Sequence, residues 1–420
     1  MNILIDSLLL SLACLAAVPC AVFVCECVLG ALYAPRRRPT SQKARPRIAV
    51  LVPAHDEAAG ITHTLSGLRA QLSAADVLLV VADNCSDDTA ALAAASGARV
   101  VERQDTERRG KGYALVFGLE QLAAQPPDVV VIVDADCAVS EGGIERIARL
   151  AHETDRPVQA DYVLTPSARP SGRSVVSALA FLVKNRVRPR GLAALGMPCL
   201  LTGTGMGFPW QVLRKAPPTN DHLVEDMVMG LELALLGYAP LLCPDAHVTS
   251  ALPERAGAAN TQRRRWEHGH LATLIEQGPR LLWQGLRQRR AELIALALDL
   301  MVPPLSLLVA MLLAGFTLAA GAWLLGASPL PALILAAGVL GIALGAGVGW
   351  FAYGRDLVRA RDLLAIPLYV LWKLPLYFGF FTRGRQRGWQ RTERSAEPAR
   401  AVESARSAER SAEPARPEDG

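Results

Sequence analysis

The sequence predicts an α/β protein, a mostly parallel sheet wrapped in helices and carried between apolar segments long enough to cross a membrane. Three observations predict it. Residues 46–285 alternate short Val-, Ile- and Leu-rich runs with stretches of helical spacing, the pattern of a parallel sheet covered on both faces. Hydrophobic residues make up 51% of the 420 residues and concentrate toward the two ends, in 7–34 and 293–353. Asp56, Asp83 and Asp134 each fall just beyond the carboxyl end of an apolar run, where ligands bind in sheets of this kind.

Taken in order, residues 7–34 form a long apolar stretch followed by Arg36-Arg37-Arg38. A cleaved signal peptide carries its positive charge before the apolar core, so this pattern reads as a transmembrane helix. The positive-inside rule places residues 36–47 in the cytosol and Met1 outside. Glu26 sits within the span and faces either a partner helix or the headgroup region. Strands are expected at 47–53, 77–82, from Val100, and at 129–133. Helices are expected at 58–72, 89–96 and 111–122. Residues 293–326 and 329–353 are flanked by Arg287, Arg289 and Arg290 before and by Arg355, Arg359 and Arg361 after, a hairpin with both feet in the cytosol. Residues 363–381 are apolar but interrupted by Pro367, Lys373 and Pro375, with Arg on both sides. An interfacial helix at the cytosolic face is expected there, with a fourth span as the alternative. Residues 393–420 repeat E-R-S-A-E-P-A-R at 393–400 and 409–416 and read as a disordered tail.

The net charge of +5 comes largely from Arg beside apolar segments. No Lys/Arg stripe with interleaved aromatics occurs, and aromatics are only 5%, so a nucleic-acid partner is not expected. Eight cysteines show no metal-ligand spacing and imply no disulfide framework, which fits a reduced cytosolic compartment.

Several polar clusters carry chemistry. Pro53-Ala54-His55-Asp56-Glu57 follows the first strand, and its acids can accept hydrogen bonds from ribose hydroxyls or a base N–H. The same acids also suit a helix start, and both roles can hold together. Asp83 ends the second strand as a base-binding candidate, whereas Asp87 or Asp88 reads as a cap for the following helix. Arg109-Gly110-Lys111-Gly112 leads into a helix, and Lys111 with nearby backbone N–H groups could meet phosphate, or be a solvated basic turn. Asp134 and Asp136, two residues apart at a strand end, can hold Mg²⁺ or Mn²⁺ while leaving positions for diphosphate oxygens. Glu225-Asp226 opens an apolar helical run. One of these carboxylates can serve as a general base, and capping that helix is the simpler alternative. Gln262-Arg263-Arg264-Arg265-Trp266 offers Arg265 for bidentate contact with a diphosphate and Trp266 as a stacking floor for a sugar ring. Arg263 and Arg264 suit lipid headgroups.

Thr202-Gly203-Thr204-Gly205-Met206-Gly207 lacks G-x-G-x-x-G spacing, since Phe208 stands where the third glycine belongs, which excludes a dinucleotide oxidoreductase. A loop at Gly203, Thr204 and Gly205 that lets backbone approach an acceptor sugar is expected instead. His268 and His270 supply only two possible zinc ligands and read as helix-surface histidines.

Together, Pro53–Glu57, Asp83, Asp134-Ala135-Asp136, Glu225-Asp226 and Gln262–Trp266 resemble the membrane-bound family 2 glycosyltransferases of the GT-A fold, the branch of cellulose, chitin and hyaluronan synthases. The resemblance covers residues 46–285. It implies a UDP-sugar donor gripped by Pro53, His55, Glu57, Asp83, Lys111 and Asp134, with Asp83 on the base. It implies a divalent metal on Asp136 with Asp134, and Asp226, beside Glu225, as catalytic base. Gln262, Arg265 and Trp266 would lie near the diphosphate and acceptor. With about three spans by the length criterion, the chain resembles enzymes that glycosylate a lipid more than polymer-extruding synthases. The expected activity is inverting, metal-dependent transfer to a membrane lipid-linked saccharide or glycolipid at the inner membrane, with the catalytic domain in the cytosol, for exopolysaccharide assembly. A processive synthase that needs polysaccharide-assembly subunits is the first alternative, and an inactive nucleotide-sugar-binding scaffold the second.

Overall fold

A computed structural model describes residues 3–34, 43–165, 172–216, 224–251 and 256–383. The Arg36–Arg38 cluster and the 393–420 tail lie outside these residues.

Among the described residues, eight strands form one sheet: β1 (Ile48–Ala54), β2 (Val77–Asp83), β3 (Arg99–Arg103), β4 (Val129–Ile132), β5 (Cys137–Val139), β6 (Val158–Thr165), β7 (Met206–Pro209) and β8 (Leu241–Ala251), in the order β3-β2-β1-β4-β7-β6-β8-β5. The first four pair in parallel. The expectation of a mostly parallel sheet is met there and modified beyond, because β7 runs antiparallel to both β4 and β6 and β5 runs antiparallel to β8. The sheet is therefore mixed.

Strand periodicity sends alternate residues to opposite faces. Ile48, Val50 and Val52 of β1 pack with Ile61, Leu65, Ile144 and Ile147, from helices Ile61–Arg69 and Gly143–Thr154. Ala49 and Leu51 pack on the other side with Ala114, Leu115 and Leu122, from helix Lys111–Leu122. Covering both faces leaves the strand ends as the open edge of this half of the sheet.

Among the described residues, four helices are long and apolar enough to cross a membrane: Ile3–Ala31, Leu305–Leu324, Leu330–Tyr353 and Ala360–Phe380. The apolar run expected to be continuous over 293–326 is instead divided. Helix Ala291–Leu300 ends before Pro303-Pro304, and Leu305–Leu324 begins after them. Proline has no amide hydrogen and disfavours helix in the residue before it, so two in succession end the first helix. The detached segment packs into the sheet-bearing half, where Leu293, Leu296 and Leu300 join Met227, Leu231 and Leu281.

The N-terminal helix is joined to this half at close range. Glu26 faces a partner helix, the first of the two expected alternatives: Arg188 Nε donates to its Oε2 at 2.6 Å, and Arg188 also pairs with Asp299. A Cβ at Gly191 would collide with the Glu26 carbonyl, and one at Gly30 with the Val187 carbonyl, so glycine permits both approaches. Phe23 lies against Gly345 of helix Leu330–Tyr353.

Candidate active site

The loops after β1 and β2 build a pocket of about 150 Å³ lined by Pro53, His55, Glu57 and Asp83. Asp56 and Asn84, both with positive φ (50° and 53°), turn the chain sharply at these strand ends. The buried Asp83 carboxylate accepts from Arg103 at 2.7 Å and Asn84 at 3.0 Å, both at Oδ1. Burial raises its pKa although Arg103 opposes the shift. His55 Nδ1 lies 2.6 Å from the Asp83 carbonyl. Asp87, one residue before the N-cap Asp88 of helix Thr89–Ala95, accepts from the Thr89 and Ala58 N–H groups at 3.0 and 3.1 Å. These bonds fix the turn that presents Glu57, whose N–H donates to Thr89 Oγ1 at 2.8 Å.

Asp134 and Asp136 follow β4 at the next strand end. Ligand atoms of Asp134, Asp136 and Cys137 lie within 4.8 Å of one another. Two carboxylates supply the hard oxygens that Mg²⁺ or Mn²⁺ prefers. Burial and the two acids push the Cys137 thiol well above its usual range. Ser250 Oγ donates to Asp136 Oδ2 at 3.0 Å. Lys111 Nζ forms an ion pair with Asp134 and donates to the Gly203 carbonyl at 2.6 Å.

Glu225 and Asp226 occupy the first turn of helix Glu225–Leu235, where the helix dipole favours negative charge. Burial nonetheless raises both pKa values; each acid's nearness to other carboxylates adds to this, while Lys111 opposes it. In return, burial disfavours the Lys111 ammonium, but Asp134, Glu225 and Asp226 together hold its pKa above the usual range. Gly203, with φ +96°, passes so near that a Cβ would stand 3.3 Å from Asp226 Oδ2. Thus Lys111 ties the paired aspartates to the Glu-Asp pair from an unrelated part of the chain.

Only part of the glycine loop reaches this space. Thr202 and Gly203 line it. Thr204 is fully buried, and its hydroxyl accepts the Asp134 N–H at 3.0 Å. A Cβ at Gly205 would approach Val248 and Ala160 at 2.6 and 2.9 Å. Both residues thus support the strand end from beneath rather than face a ligand.

Helix Ala256–Gln288 closes the site from above. Gln262 and Arg265 line both the small pocket and a larger cavity beside it. Arg265 Nε is buried without a hydrogen-bond partner among the described residues, which suits a donor held ready for phosphate oxygen. Trp266 lines the larger cavity, its ring 5.6 Å from Phe181, which in turn lies 5.1 Å from Tyr162. Arg264 is exposed, while Arg263 donates to Ser177 Oγ at 3.0 Å and lies 5.4 Å from the Trp372 ring. His268 and His270 are buried, not surface residues: their Nε2 atoms lie 3.1 Å from the Leu376 and Leu300 carbonyls, respectively. Burial depresses both pKa values, that of His270 to about 3, so they join helices as neutral rings.

The larger cavity, about 1010 Å³, runs from Asp134, Asp136 and Asp226 past Trp266 to an apolar wall that includes Leu305, Val309, Ile342 and Ala346. Lys184 and Asn185 also line it and were missed in the sequence. They sit on a π-turn, Val183–Val187, which carries no sequence motif of its own.

Residues 46–269 match the family described as glycosyltransferase like family 2, and the chain belongs to that family. A low-salt glycan biosynthesis hexosyltransferase of Haloferax volcanii is 28% identical over 112 residues, 26% of either chain. Glucosyl-3-phosphoglycerate synthase of Mycobacterium tuberculosis is 38% identical over 100 residues, 22% of this chain and 30% of the relative. The match thus spans less than a third of each curated relative. A mannosyltransferase of Pyrobaculum calidifontis, solved in complex with GDP-Man and Mn²⁺, superposes with a TM-score of 0.53 at 20% identity, covering 87% of this chain and 99% of that one. This is the GT-A fold with apolar helices at both ends.

Proposed function

We propose that the protein transfers a sugar from a UDP-sugar to a lipid-linked saccharide or glycolipid at the inner membrane, from a cytosolic catalytic domain, in cell-surface polysaccharide assembly. The observation that carries this is the single cavity of about 1010 Å³ joining the acidic centre to the apolar wall between two helices long enough to span a bilayer. A water-soluble acceptor has no use for that wall; the chain of a lipid does.

Pro53, His55, Glu57 and Asp83 hold the base and ribose. Arg265 and Gln262, shared by both cavities, meet the diphosphate. Asp134 and Asp136 would hold Mg²⁺ or Mn²⁺, which when bound supplies Lewis-acid stabilisation of the diphosphate charge. Asp226 takes the proton of the acceptor hydroxyl as its oxygen forms the new bond to the anomeric carbon and the bond to UDP breaks. A single displacement of this kind inverts the configuration. Lys111 favours the ionised form of Asp226, which a base requires. The Pyrobaculum enzyme's complex with GDP-Man and Mn²⁺ supports a nucleotide-diphosphate sugar and a divalent metal, while the choice of UDP rests on the motif resemblance.

The test is UDP release by the detergent-purified chain across a panel of UDP-sugars, with and without Mn²⁺, with membrane lipid extract as acceptor. Turnover is expected with one donor, only with metal and extract. Turnover with a water-soluble saccharide but not with the extract would sink the lipid-acceptor reading, and a ladder of products would replace single transfer with a processive synthase.

A further inference from the structure

The larger cavity holds a cation that donor chemistry leaves unused. Lys184 lies on the π-turn between helices Gly172–Leu182 and Arg188–Ala194. A π-turn inserts a residue into a helical run and redirects its side chains, and such turns concentrate at functional sites. The other cations around the cavity have assignments. Lys111 pairs with Asp134, and Arg188 is held by Glu26 and Asp299. Arg263 bonds to Ser177. Arg109 and Arg265 also line the donor pocket, and Lys184 does not. No acid pairs with Lys184 among the described residues, although its charge is felt at Asp226.

Two other polar groups that line the cavity point to a ligand as well. The Asn185 side-chain oxygen and the Thr202 hydroxyl are buried, face the same cavity and lack hydrogen-bond partners among the described residues. Buried polar atoms are nearly always paired. The threonine hydroxyl can donate, and an amide turned over presents its NH₂. A cation with two potential donors, between a carboxylate base on one side and a hydrocarbon wall on the other, suits an anion that links a polar head to an apolar chain.

We infer that Lys184, with Asn185 and Thr202, binds the phosphate of an amphiphilic acceptor whose hydrocarbon chain lies against helices Leu305–Leu324 and Leu330–Tyr353. This rests on the lipid-acceptor reading above and names the acceptor's linking group.

The test is equilibrium binding to the full chain in detergent of three probes: a polyprenyl monophosphate, the polyprenol of the same length, and inorganic phosphate. The wild type is expected to bind the lipid phosphate about tenfold more tightly than the alcohol, with inorganic phosphate weaker than either. Lys184→Met should bring the two lipids to near-equal affinity, and Lys184→Arg should restore most of the preference. UDP binding at the donor pocket reports that each variant is folded. Equal wild-type affinity for phosphate and alcohol overturns the inference alone and leaves the lipid-acceptor reading standing. So does a preference that survives Lys184→Met, which places the anion elsewhere. Inorganic phosphate binding as tightly as the lipid phosphate overturns the amphiphile. Binding of neither lipid sinks both the inference and the reading it rests on.

Discussion

Replacing Arg188 with Met tests how the N-terminal helix is held. The Arg188 side chain is 6% exposed, and its partners Glu26 and Asp299 are 5% and 8% exposed. Its guanidinium donates to Glu26 at 2.6 Å, to the Asp299 carbonyl at 2.8 Å, and pairs with the Asp299 carboxylate. Glu26 Oε1 already has no partner among the described residues. Without the cation two buried acids face each other uncompensated. Breaking a buried ion pair in this way costs about 3–5 kcal/mol, most of it the penalty of the stranded charges rather than the worth of the pair. Thermal unfolding of the detergent-purified chain should show a fall in Tm of roughly 3–6 °C. The triple variant Glu26→Met, Arg188→Met, Asp299→Leu should recover most of that loss, because no charge is then stranded. A single variant within about 1 kcal/mol of wild type, or a triple variant no more stable than the single, would refute the reasoning.

Further outcomes are expected from the site. Asp226→Asn should lower turnover roughly a hundred- to ten-thousandfold while UDP binding persists, and full complementation in cells would remove Asp226 as the base. Because burial raises the Asp226 pKa, kcat/KM should fall with decreasing pH above the ordinary carboxylate range. Lys111→Met removes an opposing cation and should move that limb to still higher pH; a limb that stays or moves down contradicts the electrostatics. Asp136→Asn should raise the Mn²⁺ concentration for half-maximal rate roughly tenfold or more, measured by titration at saturating donor. Arg265→Lys should raise the donor KM roughly tenfold, since an ammonium cannot make the bidentate contact; an unchanged KM would move the diphosphate away from this helix.

The parallel half of the sheet was legible in the sequence because β1, β2 and β4 are buried on both faces and read as unbroken apolar runs. β7 was not: four residues, M-G-F-P, show no alternation and contain a proline, and only pairing with β4 and β6 makes them a strand. Asp134, Asp136, Glu225, Asp226, Gln262, Arg265 and Trp266 were found through residue type and order along the chain, and the fold brings them to one cavity. Thr204 and Gly205 were drawn in by adjacency to Gly203, although the positive φ of Gly203 and Gly205 turns the chain so that neighbouring residues of the loop face different surroundings. Lys184 and Asn185 could not be found by pattern, because a π-turn is a departure from helical spacing and leaves no period to read.

The glycine contacts at Gly30 and Gly191 have a practical consequence for protein engineering. An ordinary membrane anchor is interchangeable, so a fusion partner or a foreign helix can replace it. Here the backbone of Ile3–Ala31 is itself packing surface for helix Arg188–Ala194. A fragment beginning after this helix would leave Arg188 without Glu26 and bare the glycine seam to solvent. Chimeras should therefore preserve the helix through Gly30, because the packed unit extends beyond the family-matched residues 46–269.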